Sequence, residues 1–267
     1  MSTTASLKET ITLTFGDCAE NHRGMQSLGH MAAKGLTPSD LATIKTNLEA
    51  TGINCELYDL TQIPNVTPQT PTITYPAATL LVARKGINAF ITDLPNPSEA
   101  LYTEQCQFPR DTKAFMYGRV VNKKARHNLC FSDMDQQPDY ASGKGTVINF
   151  THTPILNQIR TSLATVTGIP KLAMLQCEAN YYYDITKTYI GFHGDTERRI
   201  VAGLRLGATF PLHYQWFRNH QPISTRFTIQ LNDGDVYFMD EKAVGYDWKS
   251  GSQYTLRHAA GEEKNLK

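Results

Sequence analysis

The stretch Gly191-Phe192-His193-Gly194-Asp195-Thr196-Glu197-Arg198-Arg199 places an imidazole and a carboxylate two residues apart, a spacing that lets one metal ion take both. Two histidines and one carboxylate, with the other coordination positions open, form the donor set of non-haem Fe(II) oxygenases. A lone His-x-Asp is weak evidence, because a chain with 8 histidines and 25 acidic residues contains such pairs by chance. Its surroundings give it weight.

Upstream, the apolar run Leu172 to Cys177, then Asn180-Tyr181-Tyr182-Tyr183, a polar turn from Asp184 to Lys187, and Tyr189 to His193 read as strand, turn, strand. Downstream, Ile200 to Leu206, Phe210 to Phe217 and Phe227 to Leu231 read as further strands. Asn232-Asp233-Gly234-Asp235 is a tight turn into Val236-Tyr237-Phe238-Met239. Such a run of short strands suits a double-stranded β-helix, or jelly roll. The third ligand then has to come from a late strand. His258, in Tyr254-Thr255-Leu256-Arg257-His258-Ala259-Ala260-Gly261, is the histidine that remains after His220. The alternative for His258 is an exposed place near a frayed terminus.

Several separated motifs, in one order, resemble the AlkB-type Fe(II)/2-oxoglutarate dioxygenases. They are Phe115-Met116-Tyr117-Gly118-Arg119, Asn128-Leu129-Cys130-Phe131-Ser132, the helical stretch Pro154 to Thr167, Asn180-x-Tyr182, His193-x-Asp195-x-Glu197-Arg198 and Leu204-Arg205-Leu206-Gly207. The resemblance spans roughly Phe108 to Gly261. It implies an α+β protein with a jelly-roll core and flanking helices, and an Fe(II) held by His193, Asp195 and a late histidine. It also implies 2-oxoglutarate contacted by Asn180 and Tyr182, and Tyr117, Arg119, Glu197 and Arg198 on the substrate side. The chemistry would consume O2, release succinate and CO2, and hydroxylate or oxidatively demethylate a nucleobase, nucleotide or nucleic acid. The same chemistry on a small metabolite, an amino acid or a protein side chain is the first alternative, and a non-catalytic jelly-roll binding module the second.

The sequence departs from the AlkB pattern twice. The slot soon after the Gly-Asp turn, around Asp247-Trp248-Lys249-Ser250, holds no histidine, so His258 follows a longer loop. The family's Arg-x-Asn-x-x-x-x-Arg strand is also missing, and the carboxyl end looks more like the prolyl-hydroxylase branch, where a lysine trails the histidine. Lys264 or Lys267 is then one candidate for the cation that meets the distal carboxylate of 2-oxoglutarate. Arg205 is the other. If it shares a strand face with Gly203, it points into the barrel, where a dicarboxylate or an internal Glu or Asp would have to pair it.

Composition limits these readings. A chain of 267 residues with 40% hydrophobic content can bury a substantial core. No stretch approaches the roughly 20 apolar residues of a membrane span, and Met1-Ser2-Thr3-Thr4-Ala5 lacks the features of a signal sequence. The cysteines at 18, 55, 106, 130 and 177 form no Cys-x-x-Cys and read as reduced packing residues of a cytoplasmic protein. Net charge is only +1, short of the basic excess of duplex-binding proteins. The local run Lys123-Lys124-Ala125-Arg126-His127, with Arg119 nearby, reads as a solvated hairpin loop or, in the AlkB resemblance, as a lid. As a lid it suits the few phosphates of a nucleotide or a flexible single strand.

The boundary is expected near residue 76, with 1–76 a small α/β amino-terminal extension and 77–267 the jelly-roll domain. Within the first part, Ile11 to Phe15 and Cys55 to Leu60 read as strands, and Arg23 to Lys34 and Pro38 to Thr51 as helices, the latter capped by Thr37. Gly16 to Met25 reads as a polar turn into a helix, either a simple cap or an anion site. Ile63 to Pro76, with Pro64, Pro68, Pro71 and Pro76, reads as a connector or surface excursion. There are no internal repeats.

Overall fold

The computed structural model describes residues 8–66 and 73–266. Met1 to Ala5, Pro68, Pro71 and Lys267 lie outside them, so the readings placed on those residues are not addressed by it.

In chain order the strands are β1 (Thr10–Gly16), β2 (Cys18–Glu20), β3 (Ser27–Gly29), β4 (Cys55–Asp59), β5 (Thr79–Ala83), β6 (Lys113–Met116), β7 (Arg119–Asn122), β8 (His127–Ser132), β9 (Val147–Asn149), β10 (Gln176–Tyr182), β11 (Ile190–His193), β12 (Val201–Gly207), β13 (Phe210–Arg218), β14 (Gln221–Pro222), β15 (Phe227–Leu231), β16 (Val236–Met239) and β17 (Thr255–Ala260). The helices are α1 (Pro38–Ala50), α2 (Pro97–Cys106), α3 (Pro154–Thr167) and the single turn α4 (Glu241–Val244). The class is α+β.

An eight-stranded sheet has the order β4-β5-β16-β12-β1-β10-β8-β9, and a five-stranded sheet has β11-β17-β13-β14 with β15 also on β13. Strict alternation along the central strands sorts side chains between two layers. Ala202, Leu204 and Leu206 of β12, Ile11, Leu13 and Phe15 of β1, and Cys177, Ala179 and Tyr181 of β10 share one apolar cluster with Leu41, Ile44 and Leu48 of α1 and with Leu156, Ile159 and Leu163 of α3. The opposite face meets the five-stranded sheet through Val82, Tyr237 and Met239 against Leu212, Trp216 and Leu256. The candidate site lies between the two sheets, on that second face.

Local rules explain several elements. Pro38 opens α1, the Thr37 hydroxyl accepts from Asp40 N at 3.1 Å, and the Asp40 carboxylate accepts from Thr37 N at 2.8 Å, a reciprocal capping box. Such a cap contributes about 1 kcal/mol. α3 ends where Gly168 takes the left-handed conformation.

Three expectations are overturned in the amino-terminal part. The described residues of 1–76 do not form a separate extension, because β1 runs antiparallel between β10 and β12 in the middle of the large sheet. Arg23 to Lys34 is not a helix: β3 pairs with β2, and the backbone beyond is held by Asp17, whose carboxylate accepts from Ala32 N at 2.7 Å. Gly24 and Gly29 both sit at positive φ, which suits a turning chain and weakens a helix. Gly16 to Met25 therefore enters a hairpin rather than a helix. The described part of the Ile63–Pro76 connector is a packed excursion, with Tyr75 stacked on Trp216 at 4.3 Å.

Candidate metal centre and its cavity

β11 and β17 are antiparallel neighbours with His193 opposite His258, which brings the two rings to 4.4 Å between centroids. The chain turns at Gly194, where an added Cβ would lie 2.1 Å from the Gly245 carbonyl oxygen. Asp195 N donates to Val244 O at 3.0 Å, so the end of α4 holds the turn in place. Asp195 Oδ1 then stands 3.4 Å from His193 Nε2 and 3.6 Å from His258 Nε2. One donor atom from each of the three residues lies within 4.8 Å of the others. His193 Nδ1 bonds Gly191 O at 2.8 Å, which leaves Nε2 as the free donor.

The other histidines of the second half do not join. His213 uses both ring nitrogens, on Thr228 Oγ1 and Gly261 O, each at 2.8 Å. His220 sits in the turn after β13 and meets Arg257.

The electrostatics suit a cation. Burial works to raise the Asp195 carboxyl, but the Arg198 guanidinium and the two histidines hold it well below the usual carboxylate range. Burial, and then His193, lower His258, which favours the neutral imidazole that metals bind. Two imidazoles and a carboxylate, borne by two strands and one pinned turn, are a donor set able to hold a metal ion with coordination positions left open.

The cavity beside this group has a volume of about 410 Å³. At one end is Arg205, 1% exposed. Its Nη1 donates to the hydroxyl of Thr12, its opposite number on β1. Its Nε has no partner, and Phe210 lies 5.2 Å from the guanidinium carbon. No carboxylate of the described residues forms an ion pair with it, and burial lowers its pKa. The bland expectation that an internal Glu or Asp pairs Arg205 is therefore not met. Gly203 shares the strand face of Arg205 and lies under the Tyr237 ring: an added Cβ there would come within 2.0 Å of it, so only glycine lets that ring line the cavity.

Asn180 and Tyr182 both face the cavity from β10. Asn180 Oδ1 accepts from Asn128 Nδ2 at 2.7 Å and from Arg126, and its amide donates to Glu178 at 2.9 Å. Glu197 also lines the cavity. Arg198 lines the cavity as well, with its guanidinium buried among Glu178, Asp195 and Glu197. Tyr117, 89% exposed at the tip of the β6–β7 hairpin, and Arg119 beside it do not line the cavity. Lys264 is a correction too, because its side chain is 64% exposed, pairs with Glu262 at 2.5 Å and is not among the cavity residues.

The basic run divides. Arg126 lines the cavity, while Lys123 bonds Asn21 Oδ1 at 2.7 Å and Asn128 Oδ1 at 2.9 Å, with burial pulling its pKa down to about 8. Cavity residues that sequence reasoning missed include Thr12, Thr14, Glu20, His22 and Arg23 from the amino-terminal part, and Glu178, Tyr237 and Trp248. The one signal for the threonines was their alternation with Ile11, Leu13 and Phe15.

Glu20 gives a test of this placement. Burial, then the nearby Glu197, push its carboxyl up to about 7 from 4.5. The folded state thus binds more protons than the unfolded state between pH 4.5 and 7, and stability falls as pH rises through that window. Glu20→Gln should raise the melting temperature of the metal-free protein at pH 8 and change it less at pH 5. An equal change at both pH values, followed by circular dichroism, would place Glu20 in solvent.

A mixed α+β architecture, with a two-histidine, one-carboxylate group in a cavity between its sheets, defines the class. The chain is 50% identical over 261 residues to the uncharacterized protein R156 of Acanthamoeba polyphaga mimivirus, a match covering 98% of this chain and 99% of that protein, and it belongs to the same family. No protein-family model matches it. No helix among the described residues is long and apolar enough to cross a membrane, and all five cysteines are free.

Proposed function

We propose that the chain is an Fe(II)/2-oxoglutarate-dependent oxygenase of the AlkB-like type, built on a double-stranded β-helix. The observation that carries this reading is a single cavity holding both the His193–Asp195–His258 group and a buried arginine without a carboxylate partner. The strand order supports the jelly roll. β10, β12 and β16 fall in one sheet, and β11, β13, β15 and β17 in the other. β1, between β12 and β10, stands where the eighth strand of a jelly roll would pair.

In this reading His193, Asp195 and His258 hold the metal, and Arg205 with the Thr12 hydroxyl meets the distal carboxylate of 2-oxoglutarate. Bound Fe(II), 2-oxoglutarate and O2 supply the oxidising power, which ends as succinate, CO2 and an oxygen atom inserted into a substrate C–H bond. Tyr182, Leu212 and Ala260 give that end of the cavity apolar surface that excludes water. Where the hydroxylated carbon bears nitrogen, collapse of the product removes an N-alkyl group.

The AlkB-like order of motifs favours a nucleobase, nucleotide or nucleic-acid substrate. A second reading, a small metabolite or an amino-acid side chain, is favoured by Glu20 and Glu197, acidic groups that line the cavity and give phosphate no attraction there. The test is succinate release by protein loaded with Fe(II) and 2-oxoglutarate, against a panel of nucleotides, single-stranded oligonucleotides and metabolites. Release above the substrate-free background is expected for one class. Iron-independent release, or none with any addition, would sink the oxygenase reading.

A further inference from the structure

We infer that Glu178 and Arg198 are positioning residues for Asp195, forming a buried relay that decides which carboxylate oxygen faces the metal. The inference rests on the metal reading above and extends it to residues that touch neither metal nor co-substrate.

The geometry runs outward from the ligand. Asp195 turns Oδ1 toward the two histidines, and its other oxygen, Oδ2, lies 3.4 Å from Arg198 Nε. Arg198 can occupy this place because Glu178, on β10, meets Nη2 at 2.5 Å, and Glu197 accepts from the same nitrogen at 3.1 Å. Glu178 is itself fully committed: Oε1 accepts from Asn180 Nδ2 at 2.9 Å and Oε2 from Glu20 N at 3.3 Å. Arg198 and Glu178 are both buried, and each holds the other in its charged form.

Stability does not explain such a group. Desolvating several charges costs about as much as their attraction returns, and apolar residues of similar volume often do as well. Orientation does explain it. A carboxylate free to rotate offers either oxygen or both, whereas one whose Oδ2 is ion-paired with a guanidinium, itself anchored by Nε on Glu197 Oε1 at 3.3 Å, is biased toward presenting Oδ1. Partners behind a metal ligand fix it in this way. The relay also bonds Asn180, so metal ligand and co-substrate wall share one network.

The probe is Co(II) alone, titrated under air-free conditions into the full chain and followed by calorimetry and by its visible absorption. The temperature is one at which circular dichroism shows each variant folded. Glu178→Gln and Arg198→Met should each weaken Co(II) binding by roughly tenfold to a hundredfold and change the absorption band. Arg198→Lys keeps the charge but not the planar fork, and should fall between Arg198→Met and the parent. It also serves if Glu178→Gln fails to fold. A merely structural pair would lower the melting temperature yet leave the affinity and band of the folded protein unchanged. Affinities within about threefold of the parent in these variants would overturn the inference while leaving the metal reading intact. A parent chain that binds no Co(II) would overturn both.

Discussion

Alanine at His193, Asp195 or His258 is expected to abolish metal binding and reduce succinate release to the uncoupled background, because each supplies one of three donors within 4.8 Å. The effect on folding should be much smaller. His193 contributes one hydrogen bond, to Gly191 O, and His258 Nδ1 has no hydrogen-bond partner among the described residues. A loss near 1 kcal/mol moves the melting temperature of a chain this size by about 4 °C or less. Asp195→Ala should cost more at neutral pH than in acid. Its carboxyl is held below the unfolded value of 3.8, so its contribution is present above that value and is lost as pH falls. His213→Ala is the control with the opposite signature: it leaves Thr228 and the Gly261 carbonyl without their partner, lowers stability and keeps the metal. Metal retained by His258→Ala, or lost by His213→Ala, would show that the third ligand is misassigned. Calorimetric metal titration and thermal denaturation of the four variants decide it.

Arg205→Met is expected to move binding and stability in opposite directions. A charge-assisted bidentate contact to a carboxylate contributes on the order of 1.5 to 3 kcal/mol, so 2-oxoglutarate should bind roughly ten- to a hundredfold more weakly. Without the co-substrate, however, the parent keeps a guanidinium that is 1% exposed, with one hydroxyl partner and no ion pair. Methionine of similar length removes that desolvation cost, and the co-substrate-free variant should melt several degrees higher. Added 2-oxoglutarate should then stabilise the parent and leave the variant unmoved. Removing the chain after Gly261 should not change the affinity, since Lys264 pairs with Glu262 in solvent. Unchanged affinity in Arg205→Met, or a loss on truncation, would assign the cation elsewhere. A lower melting temperature in the variant would show that Arg205 has an internal partner.

The sequence alone determined the features that depend on a few neighbouring residues. The Thr37 cap of α1, the helix Pro154–Thr167, the turn at Asn232–Asp235 and the longer strands from Ile190 onward follow from alternation, caps and turn chemistry. His193 and Asp195 were legible because they are two residues apart, and His258 because a late strand held it. The tertiary structure decided what depends on distant pairing. β1 sits in the centre of the sheet, with the Thr10 hydroxyl bonded to Leu206 O, and nothing local in Thr10–Gly16 distinguishes that place from an edge. Glu20, Arg23 and Trp248 face the cavity only because the hairpin after β1 and the loop before β17 reach the same rim. Arg198, three residues after Asp195, turns inward because Glu178 on another strand pairs it. Local conformational preferences are set within a few residues. Sheet order and the partners of a buried charge are set by which distant surfaces exclude water together.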